Sequence, residues 1–453
     1  MPTAKSILQV REDHVRKAED DEYQGSPPSD KNLTQHLLPQ GLDELETLNS
    51  IRRAHRVYIT REKPNVLDIR CDSAYRLQQA LQAINWAIRD MRLSNDHSTV
   101  RFLVQKPTNA IISDMIKAEL GMRPHFVSRS PQSISNASAM NGHLQQLAAE
   151  ITNSAESLMA LNKTVGMRVN FGHLVIGKRK KGSQDEISHD DFVKLMDMYT
   201  VRGGGSFETK LQDASKAEKF LQFLVNSEQL ACNDLGDVKK DCEVTVVAQG
   251  QEIKANAENM QGQRMQLSMV RTTKPETWGR LNWTVAAPDM QYDWSFRVDA
   301  WEKVDTPTGF KELAQKVWLV ADANEDALFS VPHINTARLA MLDNEISQIR
   351  VKSSARVPYR ETPYAIEVNV TKTLKGSHTR GEPEITWGVE LYAPHWDESV
   401  NHASGGRKNW GKKMENIWWD EGPDVKSRLG GFFGTILEVQ ALLNRAGLDA
   451  ASP

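Results

Sequence analysis

Two rhythms of apolar residues divide this chain. In the first, apolar positions recur at helical spacing between short alternating runs. Leu42, Leu45, Leu48 and Ile51 recur every three residues and predict one stripe of a short helix. Residues 56–60 (RVYIT) alternate as a strand, Pro64 and Asn65 predict a turn, and 66–70 (VLDIR) form the return strand. Asp72 and Ser73 stand where an N-cap belongs. Leu77, Leu81, Ile84, Ile88 and Met91 follow at spacings of three and four, the clearest amphipathic helix of the chain. A strand over 100–104 comes next. A helix over 108–120 is then predicted, capped by Thr108 and ended by Gly121.

The second rhythm begins at Gly166 and has period two. Met167, Val169 and Phe171 alternate with polar residues, as do Met265, Leu267 and Met269, and Leu281, Trp283 and Val285. The same alternation runs through Tyr292, Trp294, Phe296 and Val298, through Ile366, Val368 and Val370, and through Ile385, Trp387, Val389 and Leu391. It predicts strands with one buried and one wet face, as in antiparallel sheets. Helices interrupt at about 189–199 and 214–226. A last helix over about 429–446 is stopped by Gly447.

Between the two regions, residues 126–140 are rich in Ser and Asn and read as a linker, followed by a helix over 143–161. Residues 1–35 are polar and charged around Gly25, Ser26, Pro27 and Pro28, and bury too little to offset ordering entropy. The expected organisation is a disordered tail (1–35), an α/β module (36–125), a linker and helix (126–165) and a β-rich domain (166–453). The fold class is α+β, with the small module preceding a large, mainly antiparallel β-rich α+β domain.

Composition adds bounds. A chain of 453 residues, 39% hydrophobic and 25% charged, has room for two or three domains. Its formal net charge is −3, so any affinity for nucleic acid must come from a local basic patch. Three cysteines, Cys71, Cys232 and Cys242, form neither a disulfide framework nor a zinc pattern. No run approaches the ~18 apolar residues of a membrane span, and the N-terminus has no apolar signal core. A cytoplasmic or nuclear protein without membrane contact is expected.

Two basic runs carry the candidate chemistry. Lys178, Arg179, Lys180 and Lys181 follow a strand and can grip phosphates or serve as a nuclear-import signal; a solvated hairpin tip explains them equally. Arg407, Lys408, Lys412 and Lys413 surround Trp410, a mixture that suits single-stranded nucleic acid, with charge for the backbone and a ring for stacking. A basic loop whose Trp packs inward explains it too, and Trp418 and Trp419 lie close by. Ser188, His189, Asp190 and Asp191 read as a helix N-cap rather than a metal site, because no further ligand stands at a diagnostic spacing. Gly203, Gly204 and Gly205 read as a turn, since neither phosphate-loop nor dinucleotide signature is present. No nucleophile motif occurs, so no catalytic residue, metal or cofactor is expected.

The order helix, strand, strand, long helix over 42–92 resembles the core of a KH domain, with "RVYIT", "VLDIRC" and "SAYRLQQALQAINWAIRDM" carrying the rhythm. The loop that a KH domain uses to approach nucleotides needs GxxG. Here only Gly41 is present, and Asp43 and Glu44 place negative charge beside it, so the family's RNA contacts do not carry over. The stretches "MRVNFGHLVI" (167–176), "RGGGSF" (202–207) and "FFGTILEVQALLNRAG" (432–447) resemble a C-terminal domain of unknown function in filamentous-fungal proteins, which follows KH-like repeats. The resemblance implies an RNA-associated context and no defined activity. Together these readings point to a non-enzymatic RNA-associated binding protein using the two basic loops of the C-terminal domain. The alternative is a protein-interaction scaffold without direct RNA contact.

Overall fold

The structure is a computed structural model. It describes residues 46–63, 66–81, 83–84, 99–105, 115–127, 164–227, 230, 238–248, 250–259, 264–273, 279–301, 304–306, 318–320, 329, 331–334, 346–375, 382–396 and 425–447. The chain divides into two compact units, Met1–His97 and Ser98–Pro453.

The first unit contains helix α1 (Glu46–His55) and an antiparallel hairpin of β1 (Tyr58–Lys63) and β2 (Val66–Arg70), followed by helical turns from residue 74. This is the order expected from the pattern. Alternation sends Val57, Ile59, Leu67 and Ile69 to one side of the hairpin, where they pack with Leu48 and Ile51 of α1 and with Ala80 and Ile84. Leu77 and Leu81 of the predicted stripe are half-buried against this core. Ile88, Met91, Leu42, Leu45 and the Gly41–Glu44 stretch lie outside the described residues.

The second unit is built on one sheet. Its strands are β3 (Thr99–Val104), β6 (Thr164–Ile176), β8 (Gly205–Glu208), β9 (Lys239–Ala248), β10 (Gln251–Asn259), β11 (Arg264–Thr273), β12 (Gly279–Ala286), β13 (Asp293–Trp301), β14 (Trp318–Val320), β15 (His333–Ile334), β16 (Ile346–Pro358), β17 (Ala365–Lys375) and β18 (Glu384–Tyr392). The order is β15-β14-β11-β10-β9-β16-β17-β18-β6-β13-β12-β3, with β8 beside β6. Every pairing along this order is antiparallel except β12 with β3. A small sheet joins β5 (His125–Phe126), β4 (Met115–Lys117) and β7 (Glu186–Ser188). The α+β, β-rich class is therefore observed.

Two expectations change here. Residues 115–117 are a strand, not the end of a helix over 108–120; pairing of Met115–Lys117 with β5 and β7 overrides the local helical spacing. Residues 99–126 also belong with the larger unit rather than with the module before it, since β3 pairs with β12 along six residues. Of the linker and helix expected over 126–165, residue 126 belongs to β5 and residues 164–165 to β6, because both pair into sheets; 128–163 lie outside the described residues.

The sheet has an apolar face and a polar one. On the apolar face, Val169, Phe171, Trp294, Phe296, Val368, Val389 and Leu391 pack under helix α3 (Ser215–Val225) and the terminal helix α4 (Val425–Arg445). Phe432 of α4 stands 5.0 Å from the Tyr364 ring, 5.5 Å from Trp396 and 6.1 Å from Phe296, centroid to centroid. A second apolar cluster covers β9, β10 and β16 through Val244, Ile253, Ile349 and Val351. Helix α2 (His189–Arg202) packs Phe192, Met196 and Tyr199 against Phe102, Leu174 and Ile176. All three helices fall where the sequence pattern placed them. Ser188 caps α2 by accepting from the Asp191 amide at 3.1 Å, as its position predicted. Gly447, with φ +63°, takes the left-handed conformation that ends α4.

Candidate phosphate-binding face

The opposite face of the sheet carries the charges. Register makes the set explicit. Directly paired residues share a face, so Lys352 and Ser354 of β16 stand with Glu243 and Asp241 of β9 and with Thr371 and Asn369 of β17. Glu367 and Asn369 stand with Glu390 and Gly388 of β18. Glu390 pairs with Asn170, and Asn170 and Arg168 pair with Ser295 and Arg297 of β13. Beyond β9 the row continues through Glu252 and Lys254 of β10 to Arg271 of β11.

Ion pairs lace this row together, and several skip a strand. Lys352 Nζ reaches Glu367 at 2.7 Å and Glu390 at 3.4 Å. Glu390 also meets Arg168 Nε at 3.5 Å. Arg350 on β16 reaches over β9 to Glu252 on β10 at 2.5 Å, and Arg271 on β11 reaches over β10 to Glu243 on β9 at 3.3 Å. Arg356 pairs with Asp241 at 3.1 Å. Alternate strands of a sheet are about 10 Å apart, a gap that long Arg and Lys side chains bridge by lying along the face. The face is enclosed as well as charged: Asn170, Thr373, Thr386 and Ser295 are buried, and the Glu367 side chain is 8% exposed.

The electrostatics follow from this enclosure. Burial pushes the Glu367 carboxyl up, but the Lys352 ammonium outweighs it and holds the group below the usual carboxylate range. Burial opposes the Lys352 charge, and Glu367 and Glu390 outweigh that and raise its pKa. Tyr392, whose hydroxyl donates to Glu367 at 2.7 Å, is raised by burial and by that carboxylate. On the opposite, apolar face of β9, burial among Val244 and Val351 pushes the Cys242 thiol up to about 12, with Glu243 adding to it.

Several donors on this face lack an acceptor among the described residues. Arg350 and Arg356 each give one terminal nitrogen to a carboxylate while the buried Nε has no partner. The Asn170 side-chain amide and the Thr373 and Thr386 hydroxyls are also buried without one. Among the described residues no group of three or more His, Cys, Asp or Glu converges as metal ligands would.

The sequence-predicted site residues fall elsewhere. Lys178, Arg179, Lys180 and Lys181 form an ordered loop after β6. Arg179 turns inward, donating to the carbonyls of Ala118 and Gln184 and reaching Asp185 at 3.4 Å. Tyr199 donates to the Lys178 carbonyl, and Gly182, at φ +80°, makes the turn. Lys178, Lys180 and Lys181 remain exposed. Arg407, Lys408, Trp410, Lys412 and Lys413, with Trp418 and Trp419, lie outside the described residues.

The charged face itself was missed because β9, β10 and β16 were not recognised as strands. A signal was present in β16: Arg350, Lys352, Ser354 and Arg356 fall at every second position, opposite Ile349, Val351, Ala355 and Val357. Cations at strand period read as a wet face; in this fold they lie on an enclosed one.

No family model matches the chain, and no curated protein does. Among solved structures it is similar to the S. pombe Pct1 RNA triphosphatase, at 11% identity and a TM-score of 0.36, covering 70% of this chain and 95% of that one. It is also similar to the same enzyme in complex with the Spt5 CTD, at 12% identity and a TM-score of 0.35, covering 69% and 94%. The expectation of a chain without enzymatic activity is corrected by this comparison, because both structures are of an enzyme. The similarity is too distant to bring that enzyme's substrate or residues to this chain. Among the described residues no helix is long and apolar enough to cross a membrane.

Proposed function

We propose that this chain is an RNA-associated protein that holds phosphate groups on the polar face of its long sheet. The observation that carries the reading is the set of buried donors on Arg350, Arg356, Asn170, Thr373 and Thr386 that find no acceptor among the described residues. Leaving a buried donor unmade costs about 1–3 kcal/mol each, and phosphate oxygens are acceptors with no donor of their own to place. Arginine suits them because its fork holds two oxygens while its charge is permanent. The carboxylates among the cations keep the face from repelling itself and set where each guanidinium points. The exposed Lys178, Lys180 and Lys181 supply a second, sequence-independent contact to an RNA backbone.

The test is fluorescence anisotropy of the full chain with 5′-triphosphorylated and 5′-hydroxyl RNA of one sequence, over a salt series, with inorganic tripolyphosphate as competitor. Binding should be salt-sensitive and displaced by tripolyphosphate. Arg350→Met with Arg356→Met should weaken it at least about tenfold, the loss of ~1.4 kcal/mol or more. Changing Lys178, Lys180 and Lys181 to Ala should lower the salt slope by up to about 0.7 per phosphate contact. Absence of binding at low salt, or binding untouched by the arginine changes, removes the reading. Phosphate released from the triphosphorylated RNA in the same samples extends it from binding to hydrolysis.

A further inference from the structure

One segment outside the strands crosses onto the polar face. β18 pairs with β6 from Val389 to Leu391, and β6 then runs on beside β8, pairing His173 with Glu208. Next to β18, Leu211 exchanges hydrogen bonds with Trp387 at 2.8 and 2.9 Å. Leu211 and Trp387 both turn to the apolar core. Two residues earlier the chain lies against the polar face. A Cβ on Gly388 would stand 3.0 Å from the Thr209 carbonyl oxygen and 3.4 Å from Asn369 Oδ1. Lys210, between Thr209 and Leu211, is thereby carried among the charges of Arg350, Lys375 and Glu384.

The charges of this patch do not balance. Glu252 meets Arg350 at 2.5 Å and Glu384 meets Lys375 at 2.9 Å, so Lys210 adds a third cation to two carboxylates already engaged. Partial burial lowers the Lys210 pKa, and Arg350 and Lys375 lower it further, outweighing Glu384. Two hydroxyls stand in the same patch. Thr373 pairs with Arg350 on one side and Glu384 on the other, and Thr386 is two residues along β18 from Glu384. Both are buried, and neither hydroxyl has a hydrogen-bond partner among the described residues.

We infer that Lys210 is a ligand-binding residue, which reaches a phosphoryl group seated over Thr373 and Thr386 at the Arg350 end of the face. The inference rests on the phosphate-binding reading above and adds a contact from outside the strands. A phosphoryl group supplies the negative charge that the patch lacks. Its oxygens accept from the ammonium and from both hydroxyls. Arg350 contributes charge while Glu252 holds its terminal nitrogen.

Variants of the full chain test this with inorganic tripolyphosphate as the probe, by calorimetry at neutral pH and at about pH 10. Lys210 is exposed, so its variants should fold, and thermal midpoints check it. Lys210→Gln should weaken binding about tenfold or more, the scale of one hydrogen bond between charged groups. Lys210→Arg should stay within about threefold at neutral pH, because charge and reach are kept. Thr386→Val should weaken binding about fivefold or more through the lost hydroxyl. Lys194→Gln removes an equal charge from an exposed position on α2 and should bind as wild type. Raising the pH should weaken wild type more than Lys210→Arg, since a lysine loses its charge there and an arginine does not. The ratio of those two affinities cancels the titration of the ligand itself. Wild-type affinity in Lys210→Gln or in Thr386→Val, an equal loss in Lys194→Gln, or parallel pH profiles for wild type and Lys210→Arg overturns the inference. If Thr386→Val does not fold, Lys210→Gln and the pH comparison decide it. Wild-type protein that fails to bind tripolyphosphate overturns the phosphate reading itself, a result distinct from wild-type affinity in Lys210→Gln.

Discussion

Lys352 Nζ lies 2.7 Å from the Glu367 carboxylate although the two are not register partners. Lys352 pairs with Thr371, four positions along β17 from Glu367. Four residues of strand span about 13 Å, so both side chains lie along the face rather than stand up from it. The polar face of the sheet is thus lined by its own charges, held in place by one another.

Removing one member of this pair leaves the other buried and uncompensated. Lys352→Met should destabilise the second unit by about 3–5 kcal/mol, the range for breaking a buried pair from one side. Lys352→Met combined with Glu367→Gln should recover part of that loss, because no orphaned charge remains at Glu367. Urea midpoints of the three proteins, with m-values to confirm comparable unfolding, test this.

The same pair sets a pH dependence. Glu367 has a lowered pKa in the fold, so its contribution is present above the ordinary carboxylate value and is lost as pH falls through the folded value. Lys352 has a raised one, so its contribution is full below the ordinary lysine value and is lost as pH rises through the folded value. The stability gap between wild type and Lys352→Met should therefore be fully developed at neutral pH and slightly above, and shrink below about pH 4. A gap that persists unchanged at pH 3 contradicts the assignment.

Arg123 and Asp293 tie the segment before β6 to the sheet. The guanidinium donates to both Asp293 oxygens at 2.8 and 3.0 Å, and the same carboxylate accepts from the Leu174 and Ala287 amides. Asp293 is 1% exposed. Arg123→Leu should cost about 3 kcal/mol or more by leaving a buried carboxylate with amide partners only. It should also raise hydrogen exchange in 115–127 before the rest of the unit, since that segment loses its anchor.

Ser188 is a local contributor. Ser188→Ala should cost about 1 kcal/mol through the lost cap on α2, and Ser188→Asp should restore most of it. A thermal melt suffices, and RNA binding should not move.

Much of the architecture was legible before any coordinates. Leu281, Trp283 and Val285 alternate because a two-sided sheet demands it, and Leu429, Phe432, Phe433 and Ile436 recur because a helix lays one stripe on that sheet. These signals are local, set by neighbours within one or two turns of chain. Three features were not local. Met115–Lys117 pairs with His125–Phe126 and with Glu186–Ser188, and no spacing within 108–120 encodes that choice. Arg123 meets Asp293 across 170 positions. Lys352, Glu367, Glu390, Tyr392 and Arg168 come from four strands and meet only because β16, β17, β18 and β6 are neighbours. By itself the sequence determined which residues alternate, where helices start and stop, and that Arg350, Lys352 and Arg356 share the polar row of β16. The tertiary structure decided which polar face is enclosed. Side-chain period tells only that a residue faces away from the core; whether that side meets water or other charges depends on which strands pair and which side chains they bring beside it.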